Sequence, residues 1–403
     1  IIALSVANTP EAIYISYALN KLGAIICPIN PLDMDYKIMQ DLKVVRPKMF
    51  IGINDSYKKF KNASKDMDID VILFPAVRSL DNNIIKTLYG AKQIISGNVL
   101  LSLDSKLDYV LKKGKSFEDA IYPIHKDEKI GDIMFTGGSS GTHKGVMLSE
   151  NGLNCVTKSL DYVTELEPGE IFMGNLPTFM AFGKLAMHYA LCKSLNVNLT
   201  LKALPKDFKE ELYRIKPAGV FAGPIQWECF LNSIFGEISN KDEKIDFSLN
   251  QNTDYIKYLE SLKAMLRKAD TSKLDLSWLK MGVSGGEQLK MFTELLCSTV
   301  FEELGAPDVL WNGLGMTEMW APVAVKMGKK NTNGTVGAVI PYNNQMIIDP
   351  ITKEELGINK EGLLCVNGPG MMIGYYNNPE ETKNSFIEKD GEKWLLTGDI
   401  AKI

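Results

Sequence analysis

The chain opens on a strand–helix–strand rhythm. Residues 1–7 form a short apolar run of the kind that fills a buried strand. Thr9 then offers a side-chain oxygen to the exposed N–H groups of a helix start, with Pro10 in the first helical position. Ile15, Ala18, Leu19 and Leu22 fall on one helical face, and Gly23 supplies a stop. Residues 24–29 are apolar again, which predicts a second strand parallel to the first across a helical crossover. A helix near residues 36–42 and a strand at residues 48–53 repeat the unit.

The same rhythm returns further on. Residues 131–136 read as a strand feeding a loop, and Ser149 as the cap of a helix carrying Leu153, Val156 and Leu160. Residues 281–284 read as a strand, Gly285-Gly286 as a turn, and Phe292, Leu295, Leu296 and Val300 as one helical face. Residues 239–253 are polar and charged, which predicts a surface insertion. The helix after it, with Tyr258, Leu259, Leu262, Met265 and Leu266, is expected to cover a core. From Gly334 short apolar runs (345–348 and 363–366) alternate with turn clusters at Asn343-Asn344 and Asn377-Asn378-Pro379. That change predicts a small β-rich part. The expected architecture is α/β, with two α/β subdomains over residues 1–135 and 136–320 and a distorted β-barrel subdomain over 321–403.

Composition narrows the function classes. The 403 residues are 45% hydrophobic and 23% charged, a globular balance. A net charge of −4 gives no broad attraction to nucleic acid or an anionic membrane. No apolar run reaches the roughly 18 residues of a membrane span. The six cysteines, at 27, 155, 192, 229, 297 and 365, form no CxxC pair and read as buried free thiols in a reducing compartment, the cytoplasm. Three histidines, His125, His143 and His188, without a Cys/His cluster argue against zinc. The chain starts on Ile1 without a Met and is read as truncated in front, with a leader segment left open.

Four segments carry candidate chemistry. Thr136, Gly137, Gly138, Ser139, Ser140, Gly141 and Thr142 are followed by His143 and Lys144. So small a loop lets backbone N–H groups converge on an anion, its hydroxyls add donors, and Lys144 adds a charge. It lacks Walker A spacing, and alone it could equally be a plain surface turn. Asn312, Gly313, Leu314 and Gly315 lead to Thr317 and Glu318, where a carboxylate with phosphate oxygens would suffice for Mg²⁺ and a helix start is the bland alternative. Asp399, after Thr397-Gly398, is an acidic residue suited to ribose hydroxyls, or a solvated turn. Gly285, Gly286 and Glu287 follow Ser284 in a strand-to-helix turn whose backbone could pack on a flat ring.

The order of these segments resembles the acyl-adenylate-forming superfamily: acyl-CoA synthetases, luciferases and peptide-synthetase adenylation domains. The likeness also includes Gly23-Ala-Ile-Ile-Cys-Pro-Ile-Asn-Pro31, Leu176-Pro-Thr-Phe-Met-Ala-Phe-Gly183, Gly334-Thr-Val-Gly337, Asn367-Gly-Pro369 and Gly374-Tyr-Tyr-Asn-Asn-Pro379. The resemblance implies the family's large N-terminal domain. It places the phosphate loop on Thr136 to Lys144, the Mg²⁺ glutamate on Glu318 with Thr317 near the α-phosphate, and the ribose aspartate on Asp399. It implies an adenine slot walled by Gly285 to Glu287 and by Asn312 to Gly315. It also implies ATP, Mg²⁺ and CoA as cofactor and co-substrates. Three positions depart from the family pattern. Leu314 stands where a Tyr is usual, His143 where Pro is usual, and Met180 where His is common. His143 is read as a solvated loop residue and Met180 as pocket wall or core.

The expected reaction is conversion of a carboxylic acid and ATP to an acyl-AMP and pyrophosphate, then transfer to CoA. Met180 after Phe179, in place of the Asp that pairs an α-amino group, argues against a free amino acid. Phe179, Met180, Phe182 and Met187 predict an apolar acyl pocket for an unsubstituted medium or long chain. An aryl or amino acid, an acyl carrier protein as acceptor, and a non-catalytic nucleotide-binding homologue are the open alternatives. The chain stops at Ile403, ahead of the family's lysine-bearing cap domain, so it is expected to bind ATP or acyl-AMP and to turn over weakly.

Overall fold

The structure, a computed structural model, describes residues 1–76, 86, 106–117, 128–136, 143–200, 204–239, 255–327 and 333–403. β1 (Ile2–Ser5) and β2 (Ile26–Pro28) pair in parallel, with Ile2 opposite Ile26. The crossover is helix Pro10–Lys21, capped by Thr9, whose Oγ1 accepts from the Ala12 N–H at 3.4 Å. β3 (Met49–Ile53) and β4 (Asp70–Phe74) extend the sheet in parallel beyond β1. β5 (Ile130–Phe135) adds beside β2, and β6 (Gly145–Ser149) turns back antiparallel to β5. Both faces of this sheet are covered, which is why its strands read as unbroken apolar runs rather than as alternation. Ala3, Phe50 and Ile133 pack with Ile38 and Leu42 in one core, while Leu4, Ile26 and Ile51 pack with Ala12 and Leu19 in another.

The second sheet has β7 (Ile171–Gly174), β8 (Asn196–Leu199), β9 (Gly219–Ala222), β10 (Met281–Ser284), β11 (Leu310–Met316), β12 (Ala321–Lys326) and β13 (Ala338–Val339). Their order is β13-β12-β11-β10-β9-β7-β8. The five strands from β7 to β11 are parallel, and β12 and β13 are antiparallel additions. Helices Pro224–Ser239, Tyr255–Lys268 and Met291–Glu303 supply a core in which Trp227 and Phe230 meet Phe301 edge-on, with centroids 5.6 and 5.7 Å away. Leu262 and Leu266 are buried in it, so helix Tyr255–Lys268 covers a core as its pattern predicts. Of the expected insertion at 239–253, all but Ser239 lies outside the described residues.

A third, antiparallel sheet holds β14 (Asn344–Ile348), β15 (Glu355–Leu356) and β16 (Glu361–Asn367). After it the chain returns to the first sheet as β17 (Gly374–Tyr375), paired antiparallel to β6. β18 (Phe386–Lys389) and β19 (Glu392–Lys402) then complete the third sheet in the order β15-β14-β16-β19-β18. Asn378-Pro379, read as part of a turn, starts helix Pro379–Asn384. Asn378 Oδ1 accepts from the Glu381 N–H at 3.2 Å and Pro379 occupies the first turn. Two compact units result. One comprises Ile1–Asn154, Pro177–Met180 and Gly370–Lys393, the other Cys155–Leu176, Ala181–Pro369 and Trp394–Ile403. Among the described residues no helix is long and apolar enough to cross a membrane. None of the six cysteines is in a disulfide; Cys27, Cys297 and Cys365 are buried as expected, whereas Cys192 is exposed.

One buried ion pair stitches the second unit. Lys326 on β12 and Glu294 on helix Met291–Glu303 are 3% and 1% exposed and pair directly. Glu294 also accepts from the Gly334 N–H at 3.0 Å, and Lys326 donates to Asn333 Oδ1 at 2.6 Å. Every charge there has a partner, as a dry interior requires. Replacing Glu294 by Gln should destabilise the protein by about 3–5 kcal/mol, because Lys326 keeps its charge without a counter-ion. Urea unfolding of the variant measures this, and a loss near zero would contradict it.

Candidate functional site

The first unit carries the phosphate-loop segment. β5 and β6 are the arms of a hairpin, with Phe135 opposite Gly145. The Thr136 N–H donates to the Lys144 carbonyl at 3.1 Å and closes its base. Gly137, Gly138, Ser139, Ser140, Gly141 and Thr142 lie outside the described residues. At the loop's end the Lys144 ammonium pairs with the Glu381 carboxylate and stands 5.0 Å above the Tyr375 ring. Both partners come from the segment that forms β17 and the short helix after it. Sequence reading left Glu381 and Tyr375 without a role, although the Asn-Pro-Glu-Glu helix-start signal was present.

His143 is more enclosed than a solvated loop residue. Its side chain is 20% exposed, and Nδ1 stands 3.3 Å from Asp41 Oδ1 on helix Asp35–Val45, without the alignment of a hydrogen bond. Burial, then the nearby Asp33 charge, pushes the Asp41 carboxyl up to about 7, with Lys37 opposing. Burial and Lys37 push His143 down.

The second unit carries the other three motifs, two of them at the carboxyl ends of its parallel strands. Register fixes this. Ala222 is opposite Ser284, and Ser284 is opposite Asn312. Just beyond lie Gly285, and the exposed Gly286 and Glu287. Ligands of open parallel sheets sit at this edge. Asn312 is buried, and its Nδ2 donates to the Thr335 carbonyl at 3.2 Å, so it anchors the Gly334–Gly337 segment. Ser284 is fully buried, and its Oγ has no hydrogen-bond partner among the described residues. Gly313 and Leu314 are half-buried on β11, and Gly315 is exposed. A Cβ on Gly315 would stand 2.4 Å from the Ala321 carbonyl oxygen, so only glycine lets β11 and β12 approach there.

Thr317 and Glu318 are half-buried in a 3₁₀ turn over Thr317–Met319. Next come Trp320 at φ 55° and Ala321 at φ 84°, two successive side-chain-bearing residues in the left-handed region. Such backbone costs about 1–3 kcal/mol per residue and persists where the surroundings over-determine it. The Trp320 ring is fully buried, with the Lys184 ammonium 5.9 Å from its centroid.

Asp399 is not in a simple turn. It lies within β19, where Leu396 opposes Cys365 and Ile400 opposes Leu363. Thr397, Gly398 and Asp399 therefore face the single residue Leu364 and bulge outward. Thr397 Oγ1 donates to the Leu364 carbonyl at 2.9 Å and accepts from the Asp399 N–H at 3.0 Å. Gly398, at φ 83°, allows the bend, and the Asp399 carboxylate is exposed.

Of the expected acyl-pocket residues, Phe182 belongs to this unit. Its ring stacks on Phe221 with centroids 5.4 Å apart, and it lies 3.1 Å from where a Gly285 Cβ would be. Phe179 and Met180 belong to the first unit. Phe179 is half-buried there and Met180 is 46% exposed, so Met180 is not core. Behind Phe221 a narrow cavity, without room for a water molecule, reaches Met187 and Asn175. Among the described residues no three His, Cys, Asp or Glu side chains converge to hold a metal. That donor set fits Mg²⁺ only as a single carboxylate, Glu318, completed by phosphate oxygens.

The family described as AMP-binding enzyme matches residues 1–376. The chain belongs to the AMP-binding enzyme family. It is 26% identical over 410 residues to a probable 4-coumarate–CoA ligase of Dictyostelium discoideum, covering 100% of this chain and 65% of that protein. A luciferin 4-monooxygenase of Photuris pensylvanica is 26% identical over 388 residues, 94% of this chain and 60% of its own. The chain thus spans about two thirds or less of these relatives' length. In fold it matches a long-chain-fatty-acid-CoA ligase of Archaeoglobus fulgidus, with a TM-score of 0.72 at 18% identity over 100% of this chain and 69% of that one. ATP-bound MatB of Rhodopseudomonas palustris gives 0.70 at 17% identity over 100% and 66%. The adenylate-forming N-terminal-domain fold expected from the motifs is the fold observed.

The Asp41 carboxyl has a definite sign in pH. Its folded value lies above the ordinary carboxylate value, so its stabilising contribution is full below pH 4 and lost as pH rises through about 7. Asp41→Asn should raise the unfolding temperature relative to the parent at pH 8, with the gain shrinking toward pH 4.5. Differential scanning calorimetry at the two pH values tests this, and a gain larger at the acid end would refute it.

Proposed function

We propose that this protein is an AMP-forming acid–thiol ligase whose acid is a medium- or long-chain fatty acid and whose acceptor is CoA. The observation that carries the reading is the Thr317–Glu318 turn. It stands at the carboxyl edge of the parallel strands, beside two strained residues that a purely structural turn would not need. The fold and the order of the motifs support it.

In the proposed reaction a carboxylate oxygen of the acid attacks the α-phosphorus of ATP. The bond to the pyrophosphate oxygen breaks, leaving an acyl-AMP anhydride and free pyrophosphate. The CoA thiol, giving its proton to water, then attacks the acyl carbon, and the bond from that carbon to the phosphate oxygen breaks as AMP departs. Loop N–H groups and the Lys144 ammonium would hold phosphate oxygens. The Thr317 hydroxyl would donate to the α-phosphate, and Glu318 would hold Mg²⁺ against the phosphates. The bound Mg²⁺ supplies neutralisation of the charge that develops on the phosphate oxygens. The exposed Asp399 carboxylate would accept from the two ribose hydroxyls, and Gly285 and Leu314 would give the adenine an apolar seat in place of aromatic stacking. Positioning and fixed charge are the whole of this catalysis.

An aryl acid is the second reading. The stacked Phe182–Phe221 pair beside the Gly285 turn suits a planar substrate, and one relative is named for 4-coumarate. Pyrophosphate exchange by the full-length protein, over hexanoate, dodecanoate, cinnamate and phenylalanine, separates the readings. Dodecanoate or hexanoate should support the fastest exchange. Glu318→Ala should lower that rate by about 100-fold or more, and unchanged exchange would remove Glu318 from its assigned role.

A further inference from the structure

The cavity behind Phe221 holds one group that does not belong in an apolar space. Its walls include Phe172, Met173 and Leu176 from β7 and the residues after it, Ala186 and Met187 from helix Ala181–Cys192, and Phe221 from β9. The exception is Asn175, directly after β7. It is 2% exposed, and neither Oδ1 nor Nδ2 has a hydrogen-bond partner among the described residues. The gaps of the cavity are too narrow for a water molecule, so solvent does not satisfy the amide. An unmatched buried amide costs about 1–3 kcal/mol for each unpaired group. Leu, of nearly the same size, would fill the position without that penalty.

The cavity also lies in line with the candidate nucleotide edge. Met173 is opposite Val220 and Val220 opposite Gly282, so the end of β7 reaches the same carboxyl edge as the Ser284–Gly285 turn. Phe221 lines the cavity and stacks on Phe182, and Phe182 lies against Gly285. A substrate whose carboxylate sits beside Gly285 would run its tail past this aromatic pair toward Asn175. Met187, unbranched and soft, is the wall that would turn aside to admit it.

We propose that Asn175 determines specificity by selecting acids whose tail carries an oxygen function. Nδ2 donates to a carbonyl or hydroxyl oxygen, or Oδ1 accepts from a hydroxyl. This rests on the acid-activating function proposed above and departs from the expected unsubstituted chain in this one feature. A site built around a buried polar group rejects the analogue that leaves it unpaired far more strongly than an apolar pocket rejects an added hydroxyl.

The test is pyrophosphate exchange by the full-length protein with two matched pairs of acids, hexanoate against 6-hydroxyhexanoate and cinnamate against 4-hydroxycinnamate. In at least one pair the oxygenated member should have the higher kcat/KM by about tenfold or more. Asn175→Leu should abolish or invert that ratio while the KM for ATP stays within twofold of the parent (~2-fold being the scatter of an uninvolved site). Asn175→Ala serves as the second variant should the Leu protein fail to fold. Ratios near one in the parent, or a preference that survives substitution, overturn the assignment of Asn175 alone. Absence of exchange with all four acids overturns it together with the function proposed above.

Discussion

The in-register parallel pairing of β9, β10 and β11 is the constraint on which the second unit depends. Ala222, Ser284 and Asn312 stand level across three strands, and the chain leaves β9 and β10 at that level while β11 runs on to Met316. The Gly285 turn and the approach to Thr317 thereby share one edge, although Gly285 and Thr317 are 32 positions apart in the chain. A shift by one residue would turn every side chain of a strand to its other face. Met173, Val220 and Leu310, now packed against Trp227 and Phe301, would leave that core. Burial therefore fixes the register, and the register places the motifs.

Regular pairing alone would leave the motif residues as ordinary strand positions. Local irregularities re-aim them. β19 spends three residues, Thr397 to Asp399, opposite Leu364, and an aspartate within a long strand becomes an exposed carboxylate. β11 and β12 fall out of step at Leu314 and Gly315, and the left-handed Trp320 and Ala321 follow the Thr317–Glu318 turn. The fully buried Trp320 ring and the Lys326–Glu294 pair anchor β12 at its two ends, which lets the strained turn persist between β11 and β12.

In the first unit the hairpin of β5 and β6 sets the loop base, and the late segment around β17 finishes it. Tyr375 and Glu381 reach Lys144 from more than 200 residues away in sequence. The cation has an ionic partner and a ring face.

Much of the architecture was legible from local pattern. Thr9-Pro10 is a capped helix start, residues 24–29 hold a parallel strand, and Leu262 and Leu266 face a core, because capping and burial periodicity act over a few residues. The order of four motifs identified the family, and its fold is the one observed. Local pattern failed where the deciding partner is distant. Asn378 reads as a turn residue until Pro379–Asn384 forms a helix whose Glu381 meets Lys144. His143 reads as solvated until Asp41 is packed beside it. Asp399 reads as a turn because the bulge exists only against β16. Asn175 is one more polar residue in the sequence, and only closure of Phe172, Met187 and Phe221 around it leaves its amide buried and without a hydrogen-bond partner among the described residues. Sequence alone determines which residues form each element and which chemistries are present. Tertiary structure decides which polar groups lose water, since desolvation depends on neighbours that the chain order does not reveal.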